Sequence, residues 1–554
     1  MDARPTLRVT LGVAVSVALC LLAAWRGEAV GSSAPWYAIV PPVMAVALAL
    51  LTRRLLPSLG VAVLVGAFLA ELPDVPRGLL AGPRHVLSAA SDPINVQILA
   101  FVALILVTIS ILIASGGLQG IVDRLARFAR GARSTQLATA LMGLAVFIDD
   151  YANTMIVGSS MRPVCDRHRV SREKLAFLVD ATSAPVAGLA VISTWIGYEV
   201  GLFREVAGTL GIERTGYSMF FDALGFRFYC ILMIIFVLAN VISGSEFGAM
   251  ARAESRARMT GALWAPGARP ISPEAAQGLD RARVAARTAV IPMAGLFVVL
   301  LAGLWLDGKG GCLADLLRPG AWRAVIGRAE NNILILAMAS AASLIAAVGC
   351  SIAVARLRPR DLLPVVGAGL RGSLLPIAIL IMAWSLKSTC DALATGTFLV
   401  DAVGEVLSPF IFPALVFLLA GLTSFATGTS WGTMAILIPT AIPIAHQLDG
   451  GLYGITTMMS LGAVLDGAIL GDHCSPISDT TIMSSIASGC DHLHHVSTQI
   501  PYSLTVGAIA LVAGYLPGAV GVPSPLSLLA GAGLIVGGFM CLRRRQRAGG
   551  AESS

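Results

Sequence analysis

Long apolar runs, separated by short loops that carry most of the arginines, make up the greater part of this chain. A helix needs about 20 apolar residues to cross a bilayer, and only helices and closed barrels satisfy their backbone polar groups in lipid. Runs of suitable length and composition occur at residues 7–25, 36–52, 55–71, 96–116, 175–198, 218–243, 288–306, 331–355, 362–386, 453–470, 498–516 and 525–542. The pattern predicts an all-α polytopic membrane protein with about 12 transmembrane helices.

Two further stretches have apolar arms that are too short to span, on either side of a polar tip. In the first, 136–148 and 155–164 enclose the sequence DDYANT, and the loops before and after are strongly basic. Basic loops favour the cytoplasmic side, so both ends are expected there. We therefore predict a re-entrant hairpin over 136–164, and a second one over 410–446, where Phe425–Met434 repeats the pattern of Phe147–Met155.

Each predicted hairpin is followed by an apolar run that contains an acid and a proline. Asp180–Pro185 (DATSAP) resembles Asp472–Pro476 (DHCSP). Proline blocks helix continuation, and Ser, Thr and Asp tend to bond to nearby backbone. Broken helices are therefore predicted at 175–198 and 453–489. The loop after the second hairpin has no Lys or Arg, unlike its counterpart, so the two copies face opposite sides; inverted repeats with broken midplane helices are typical of secondary transporters.

These features divide the chain into six parts. They are N-terminal transmembrane helices (1–95), a first inverted repeat (96–243), a polar and partly disordered cytoplasmic linker (244–287), connecting transmembrane helices (288–361), a second inverted repeat (362–517), and a last helix with a basic tail (518–554). The run 7–25 is either a retained span, which we favour, or a signal peptide cleaved near Ala29-Val30-Gly31. Both termini are expected in the cytoplasm.

Composition narrows the function. The 554 residues are 56% hydrophobic and 13% charged, with a net charge of +7. Because the arginines cluster in loops beside apolar runs, this charge indicates orientation in a membrane rather than nucleic-acid binding. The nine cysteines form no CxxC pair, so neither a disulfide framework nor a zinc site is indicated.

Acids within the apolar regions are the strongest candidates for a site. Placing a charged Asp at the bilayer centre costs about 2.5–3.5 kcal/mol, and no Lys or Arg lies close in sequence to Asp180, Asp472 or Asp479. A bound cation or proton is the natural compensation. Asp149 and Asp150 are either pore-lining or part of a solvated loop; adjacent carboxylates raise each other's proton affinity, which makes one of them a candidate proton carrier.

Other polar residues in these regions carry weaker expectations. Asp466 is a lesser candidate of the same kind, and Glu199 is expected to be an interface residue at the outer end of its span. Hydroxyl and amide groups at the tips and breaks either coordinate ions or serve as caps and packing residues: Asn153, Thr154, Ser183, Thr427, Thr429, Ser430, Ser475 and Thr480.

Two groups of charged or titratable residues lie outside the tips and breaks. Lys387 and Asp391 are expected to pair with each other, although Lys387 is also the best anchor for an anionic substrate. The cluster His492, His494 and His495 is expected in a solvated cytoplasmic turn, rather than at a metal site or in a pH sensor.

Three segments carry a family resemblance. Residues 471–502 (GDHCSPISDTTIMSSIASGCDHLHHVSTQIPY), 425–444 (FATGTSWGTMAILIPTAIPI) and 147–158 (FIDDYANTMIVG) resemble the NhaC family of sodium/proton antiporters. The likeness runs from Val96 to Tyr502. It implies a multi-pass protein of the bacterial inner membrane that transports Na⁺ and H⁺ at the acidic residues named above, without a cofactor. It also implies two inverted repeats with re-entrant hairpins and a homodimer that moves as an elevator.

Three functions remain in competition at this point. The first is Na⁺/H⁺ exchange, and the second is cation-coupled transport of a small organic acid or an amino acid, because the resemblance extends to malate and lactate exchangers. The third is a membrane enzyme with a metal near Asp472, His473 and Asp479. The inverted repeat argues against the enzyme, and the lack of a basic residue at the tips argues against an organic anion.

Overall fold

The structure, a computed structural model, describes residues 35–52, 55–270, 285–310, 331–395 and 408–551, with the single residues Val325, Ala329 and Phe398. Its regular secondary structure in these ranges is helical. Eight of the described helices are long and apolar enough to cross a membrane, or nine when one bent pair counts as a span. The all-α membrane class is thereby confirmed, while the finer topology of spans and re-entrant hairpins stays a prediction. The predicted first span, 7–25, and its signal-peptide alternative lie outside the described residues.

The helices follow one another closely. The first half of the chain forms α1 (Val40–Thr52), α2 (Leu55–Ala70), α3 (Val75–Ser91), α4 (Pro93–Ala114), α5 (Gly117–Ala126), α6 (Ala132–Ala145), α7 (Asp150–Arg167), α8 (Arg172–Asp180), α9 (Ala184–Leu189), α10 (Thr194–Leu210), α11 (Gly216–Leu224) and α12 (Phe228–Ser243). The second half forms α13 (Gly248–Thr260), α14 (Arg287–Asp307), α15 (Asn332–Ala353), α16 (Pro359–Ala392), α17 (Phe412–Thr427), α18 (Ser430–Leu448), α19 (Ile455–Cys474), α20 (Asp479–Ser488), α21 (His492–Ile509), α22 (Leu516–Ala519) and α23 (Ser524–Ala551).

The helices pack as two sets. In the first set, α4 packs against α15 and α16, while α2 and α3 pack against α16. In the second set, α17 and α18 pack along α19, and α20 packs against α7 and α8. The sets meet where α10 contacts α4 and α16, and where α18 contacts α16. The polar tips of the two predicted hairpins lie beside this junction.

The predicted hairpins and broken helices coincide with helix ends. The region 136–164 forms α6 and α7, separated by residues 146–149, and the region 410–446 forms α17 and α18, separated by Gly428 and Thr429. The second predicted break falls at 475–478, between α19 and α20. The first is double, because the chain leaves helical geometry at 181–183 and again at 190–193. Only the first of these two interruptions was predicted.

The prediction of one continuous helix over 218–243 is wrong. Helix α11 ends at Leu224 and α12 begins at Phe228. Arg227 lies in the interruption with its side chain fully buried. An arginine inside a packed helical protein needs hydrogen-bonding partners, and turning the chain at this point aims the guanidinium at two carboxylates, which are described below.

The predicted linker, 244–287, contains a packed helix. Its first section forms α13, and Glu254 on that helix accepts hydrogen bonds from the amide and the hydroxyl of Ser171, both at 2.8 Å. A second oxygen of Glu254 accepts from Gln136 Nε2 at 3.0 Å. Beyond α13, Trp264 Nε1 donates to the carbonyl of Gly489. The polar section that begins the predicted linker therefore packs against the ends of other helices. Residues 271–284 lie outside the described ranges.

Candidate ion-binding site

The first hairpin tip is held in place by Asp149. This residue is the N-cap of α7, and its Oδ1 accepts the amide of Ala152 at 2.8 Å. Its Oδ2 accepts the hydroxyl of Thr194 at 3.0 Å, and the Thr194 amide donates to the carbonyl of Ile148 at 2.9 Å. The tip is thereby joined to the start of α10. An N-cap carboxylate satisfies helix amides that otherwise have no partner, so Asp149 has a structural role in addition to the predicted one.

Three buried oxygens on the first turns of α7 lack a hydrogen-bond partner among the described residues: Asp150 Oδ1, Asn153 Oδ1 and Thr154 Oγ1. Asn153 uses its amide group to donate to the carbonyls of Gly143 and Thr182, at 2.7 and 3.0 Å. Buried polar groups are rarely left without partners. These oxygens are therefore available to a bound cation or proton.

The second hairpin tip approaches the break between α19 and α20. Gly428 has φ +72°, and a Cβ at this position would lie 2.5 Å from the carbonyl oxygen of Ile477. Only glycine meets both demands. Thr429 is the N-cap of α18 and accepts the amide of Gly432 at 3.3 Å, while the Thr427 hydroxyl donates back to the Thr423 carbonyl. The hydroxyls of Thr427 and Thr429 thus bond within their own hairpin, as the capping alternative predicts.

The break itself brings Asp472 and Asp479 to the same region. Asp472 is fully buried; its Oδ2 accepts the Thr480 hydroxyl at 2.6 Å, and its Oδ1 has no partner among the described residues. Asp479 Oδ2 accepts the hydroxyl of Tyr151 at 2.5 Å, which connects the second break to the first hairpin tip. Ser475 donates to the carbonyl of Phe425 at 2.7 Å and so fixes the break against the second hairpin.

Asp180 is buried but differs from these acids, because both of its oxygens are occupied. Oδ1 accepts the Ser484 hydroxyl at 3.1 Å, and Oδ2 accepts Thr481 Oγ1 at 3.0 Å and Gln499 Nε2 at 2.5 Å. Ser183 donates to the Asp180 carbonyl at 2.9 Å. Asp180 therefore joins the end of α8 to α20 and α21, whereas Asp150 and Asp472 retain an unpaired oxygen.

A cavity of about 100 Å³ lies where the two tips, the start of α20 and the middle of α16 meet. Its lining combines three carboxylates with hydroxyl, aromatic and apolar groups: Asp149, Asp150, Tyr151, Thr194, Thr429, Ser430, Trp431, Asp479 and Thr480, with Leu106, Gly372, Leu375, Pro376 and Ile379. No Lys, Arg or His is among these lining residues. The predicted candidates Asp149, Asp150, Thr429, Ser430, Asp479 and Thr480 are thus brought together. The other predicted candidates lie outside the lining: Asn153, Thr154, Asp180, Ser183, Thr427, Asp472 and Ser475.

Sequence reasoning missed Tyr151, Thr194 and Trp431 as lining residues. Tyr151 and Trp431 follow the two tips directly, and each is the second residue of its helix. Ser193 and Thr194 form a pair of hydroxyl residues between apolar runs, which is the usual signal of a helix start, and Ser193 indeed caps α10 by accepting the amide of Ile196. That signal, applied inside the predicted span 175–198, would have located the second interruption.

Comparison with known proteins identifies the family. The profile of the Na⁺/H⁺ antiporter family matches residues 186–516, which is more than half of the chain and includes the second hairpin and its break. This chain belongs to the Na⁺/H⁺ antiporter family. The resemblance to NhaC-type antiporters is therefore confirmed, and the protein is a multi-pass secondary transporter.

Individual proteins are also similar to this chain. An uncharacterized protein of Haemophilus influenzae is 30% identical over 88% of this chain and 91% of its own length. The Malate-2H(+)/Na(+)-lactate antiporter of Bacillus subtilis is 31% identical over 28% of this chain and 32% of its own length. The crystal structure of the Alcanivorax borkumensis YdaH transporter covers 82% of this chain and 91% of that one, with a TM-score of 0.52 and 16% identity. This last likeness shows a shared fold.

Two acids of this antiporter-family chain do not have the predicted surroundings. Asp466 is paired with a fixed cation, since Arg227 Nε donates to its Oδ1 at 2.9 Å. Glu199 is fully buried rather than at an interface, and its Oε1 lies 3.4 Å from Arg227 Nη1. Neither contact could be predicted from the sequence, because Arg227 is far from both acids along the chain.

Lys387 is paired as predicted. Its ammonium group lies 2.8 Å from Asp391 Oδ2, and also 3.3 Å from Glu205 Oε1 on α10. It is not among the residues that line the cavity. Its alternative role as an anchor for an anionic substrate in that cavity receives no support from this position.

The histidines do not form a solvated turn. His495 is fully buried, and its ring bonds with Ser485 Oγ and Gln499 Oε1, both at 2.9 Å. His492 bonds with Ser485 Oγ at 3.0 Å and with the Pro476 carbonyl at 2.7 Å. His494 uses its backbone amide to bond with Asp491. The described residues contain no group of three His, Cys, Asp or Glu side chains placed to hold a metal ion.

Proposed function

We propose that this chain exchanges Na⁺ for H⁺ across the bacterial inner membrane, and that both ions bind in the cavity between the two tips. The observation that carries the proposal is the lining of that cavity, which has three carboxylates and several hydroxyls but no basic side chain. Hard cations such as Na⁺ prefer carboxylate, carbonyl and hydroxyl oxygens. A cation bound here would neutralise charge that is otherwise costly within a membrane.

Competition between Na⁺ and H⁺ for the same oxygens couples the transport of the two ions. Asp150 and Asp479 line the cavity, and Asp472 is one hydrogen bond further away through Thr480. Asp150 and Asp472 each retain a buried oxygen without a partner among the described residues. A proton on either carboxylate removes the charge that attracts Na⁺, and Na⁺ displaces the proton. Such mutually exclusive binding is sufficient for obligatory exchange.

The duplicated construction also supports this proposal. Each tip is an N-cap, Asp149 in the first copy and Thr429 in the second, and each is followed by an interrupted helix. We propose that residues 96–243 and 362–517 form inverted repeats around the ion site. The same proposal includes the predicted boundaries of the other parts of the chain and the cytoplasmic position of both termini. It also includes a homodimer and transport without a cofactor.

Reconstituted vesicles test the exchange. With an imposed pH gradient, external Na⁺ should dissipate the gradient, whereas choline at equal concentration should not. The apparent affinity for Na⁺ should fall as the pH is lowered, because protons occupy the carboxylates. A gradient that responds to Na⁺ only when malate, lactate or an amino acid is also present would contradict the proposal.

A second candidate is cation-coupled transport of a small organic molecule. The cavity has a volume of about 100 Å³, which is more than the roughly 30 Å³ that one water molecule occupies in the liquid. Tyr151 and Trp431 contribute aromatic surface to the cavity. A relative in Bacillus subtilis is named a Malate-2H(+)/Na(+)-lactate antiporter. The acidic lining disfavours a bare organic anion unless cations bind with it, and the organic arms of the vesicle assay distinguish the two candidates.

A further inference from the structure

A buried group of three ionisable side chains lies apart from the cavity. Its centre is the guanidinium of Arg227, in the interruption between α11 and α12, and the two acids are Glu199 on α10 and Asp466 on α19. The side chain of Arg227 is 1% exposed, and those of both acids are 0% exposed. The group thus contains one fixed cation and two carboxylates in the protein interior.

Asp466 is fully supplied with hydrogen-bond donors. Its Oδ1 accepts Arg227 Nε at 2.9 Å. Its Oδ2 accepts the backbone amide of Tyr229 at 2.6 Å and the hydroxyl of Tyr515 at 3.0 Å. Several short donors to one carboxylate favour its ionised form. Asp466 is therefore the carboxylate that balances the charge of Arg227.

Glu199 is bound much less completely. Its Oε1 receives one contact, from Arg227 Nη1 at 3.4 Å, and the same nitrogen donates at 3.0 Å to the carbonyl of Gly188. Its Oε2 has no hydrogen-bond partner among the described residues. A buried carboxylate in its ionised form is very costly without pairing. The geometry leaves Glu199 without a cation of its own.

The described residues place no second ion-pair partner beside Glu199. Next to Arg227 are the thiol of Cys230, 3.6 Å from Nη2, and the phenol of Tyr515, which bonds with Asp466. Of the helices packed against α10, α4 and α9 carry no Asp, Glu, His, Lys or Arg. Helix α11 carries Asp222, α18 carries His446, and α16 carries Arg360, Asp361, Arg371, Lys387 and Asp391. Lys387 is paired with Glu205 and Asp391.

We propose that Glu199 is a second proton-binding site of this chain, separate from the acids around the cavity. A proton on Glu199 leaves the buried group with one cation and one anion, which balance. The neutral acid also needs fewer donors than a carboxylate, in agreement with its single long contact. Glu199 holds this proton in the conformation described.

The site is also placed to take part in proton movement, an inference that rests on the proposed exchange function. Helix α10 begins at Thr194, which bonds with Asp149 at the first tip. Tyr198, next to Glu199, donates its hydroxyl to the carbonyl of Trp431 at the second tip, at 2.5 Å. Gain or loss of the proton therefore changes the charge on the helix that contacts both tips. We expect Glu199→Gln to remove one component from the pH profile of exchange.

Infrared difference spectroscopy of the purified protein tests the site directly. A protonated carboxylic acid gives a carbonyl band that a carboxylate lacks. The wild-type spectrum minus that of Glu199→Gln, at neutral pH, should contain this band. The matched control is Glu205→Gln on the same helix, whose carboxylate is paired with Lys387 and should give no such band. Absence of the band from the Glu199 difference spectrum would overturn the proposal.

A second variant keeps the test decisive if Glu199→Gln does not fold. In Asp466→Asn the charge of Arg227 becomes available to Glu199, so Glu199 should ionise and the same band should disappear. A spectrum of Asp466→Asn identical to that of the wild type in this region would contradict the charge balance from which the proton on Glu199 is inferred, and would overturn the proposal. Because neither spectrum requires Na⁺, a positive result together with vesicles that fail to respond to Na⁺ would reject the exchange function and leave the proton site standing.

Discussion

Asp472→Asn should reduce Na⁺-dependent proton movement in vesicles by about 100-fold or more. Losing a charge-assisted contact in a buried site costs about 3 kcal/mol, and 1.4 kcal/mol corresponds to about tenfold. Asparagine keeps the volume of Asp472 and can still accept the hydroxyl of Thr480, which now lies 2.6 Å from Oδ2. It removes the charge and the exchangeable proton of a fully buried side chain.

The control for this variant is Asp123→Asn. Asp123 is an exposed acid on α5 that accepts a hydrogen bond from Gln119, so its neutralisation should leave transport near the wild-type rate. Both variants should elute as folded protein from a sizing column in detergent. Transport by Asp472→Asn at a rate close to that of the control would show that Asp472 has a purely structural role.

Arg227→Leu should lower the free energy of unfolding by about 3–5 kcal/mol, because removing one partner of a buried ion pair leaves an uncompensated charge. The variant loses the contacts to Asp466, Glu199 and the carbonyl of Gly188 together. Denaturant titration in micelles, followed by tryptophan fluorescence, measures the change. Adding Asp466→Asn to Arg227→Leu should recover part of the loss, since the unpaired charge is then removed as well.

A surface pair provides the comparison. Arg77 and Asp74 lie 3.2 Å apart with side chains 70% and 43% exposed. Exposed pairs contribute about 0–1 kcal/mol, so Arg77→Leu should change stability by no more than that. If Arg227→Leu were as stable as Arg77→Leu, the buried group would not be the stabilising contact described above, and the charge count that leads to a proton on Glu199 would lose its basis.

Hydropathy and helix breakers were enough to predict the fold class and the helix ends at both predicted tips. A polar DDYANT between apolar arms has few alternatives to a tip, and the structure indeed ends α6 and begins α7 around Asp149 and Asp150. Serine and proline at 475 and 476 marked the end of α19 in the same way. These signals are local, because capping and chain reversal depend on neighbouring residues.

Such local signals do not predict contacts between segments that are distant along the chain. Arg227 is separated from Glu199 by 28 residues and from Asp466 by 239. Read along the chain, Glu199 and Asp466 therefore seemed to be isolated acids. Helix α16 lines the cavity with Gly372 and Pro376 and with apolar side chains. Because none of these residues is polar, the sequence does not indicate that α16 contributes to the site.

The buried state of His495 was missed for a related reason. Three histidines within four positions suggest a polar loop, yet they occupy the first turn of α21, and that helix packs against α8, α19 and α20. His495 faces Ser485 and Gln499 inside the protein, whereas His494, its neighbour, is partly exposed. Composition cannot distinguish two adjacent residues that differ only in the direction of the side chain.

Binding of radioactive sodium to the purified protein, across a series of pH values, measures whether Na⁺ and protons compete for the carboxylates between the two tips. We predict saturable binding whose apparent affinity falls about tenfold per pH unit where one proton competes, because ligands must be deprotonated to hold a metal. The same binding should be lost in Asp472→Asn and retained in Asp123→Asn. Sodium binding with an affinity independent of pH, or unchanged in Asp472→Asn, would show that Na⁺ and protons do not share these carboxylates.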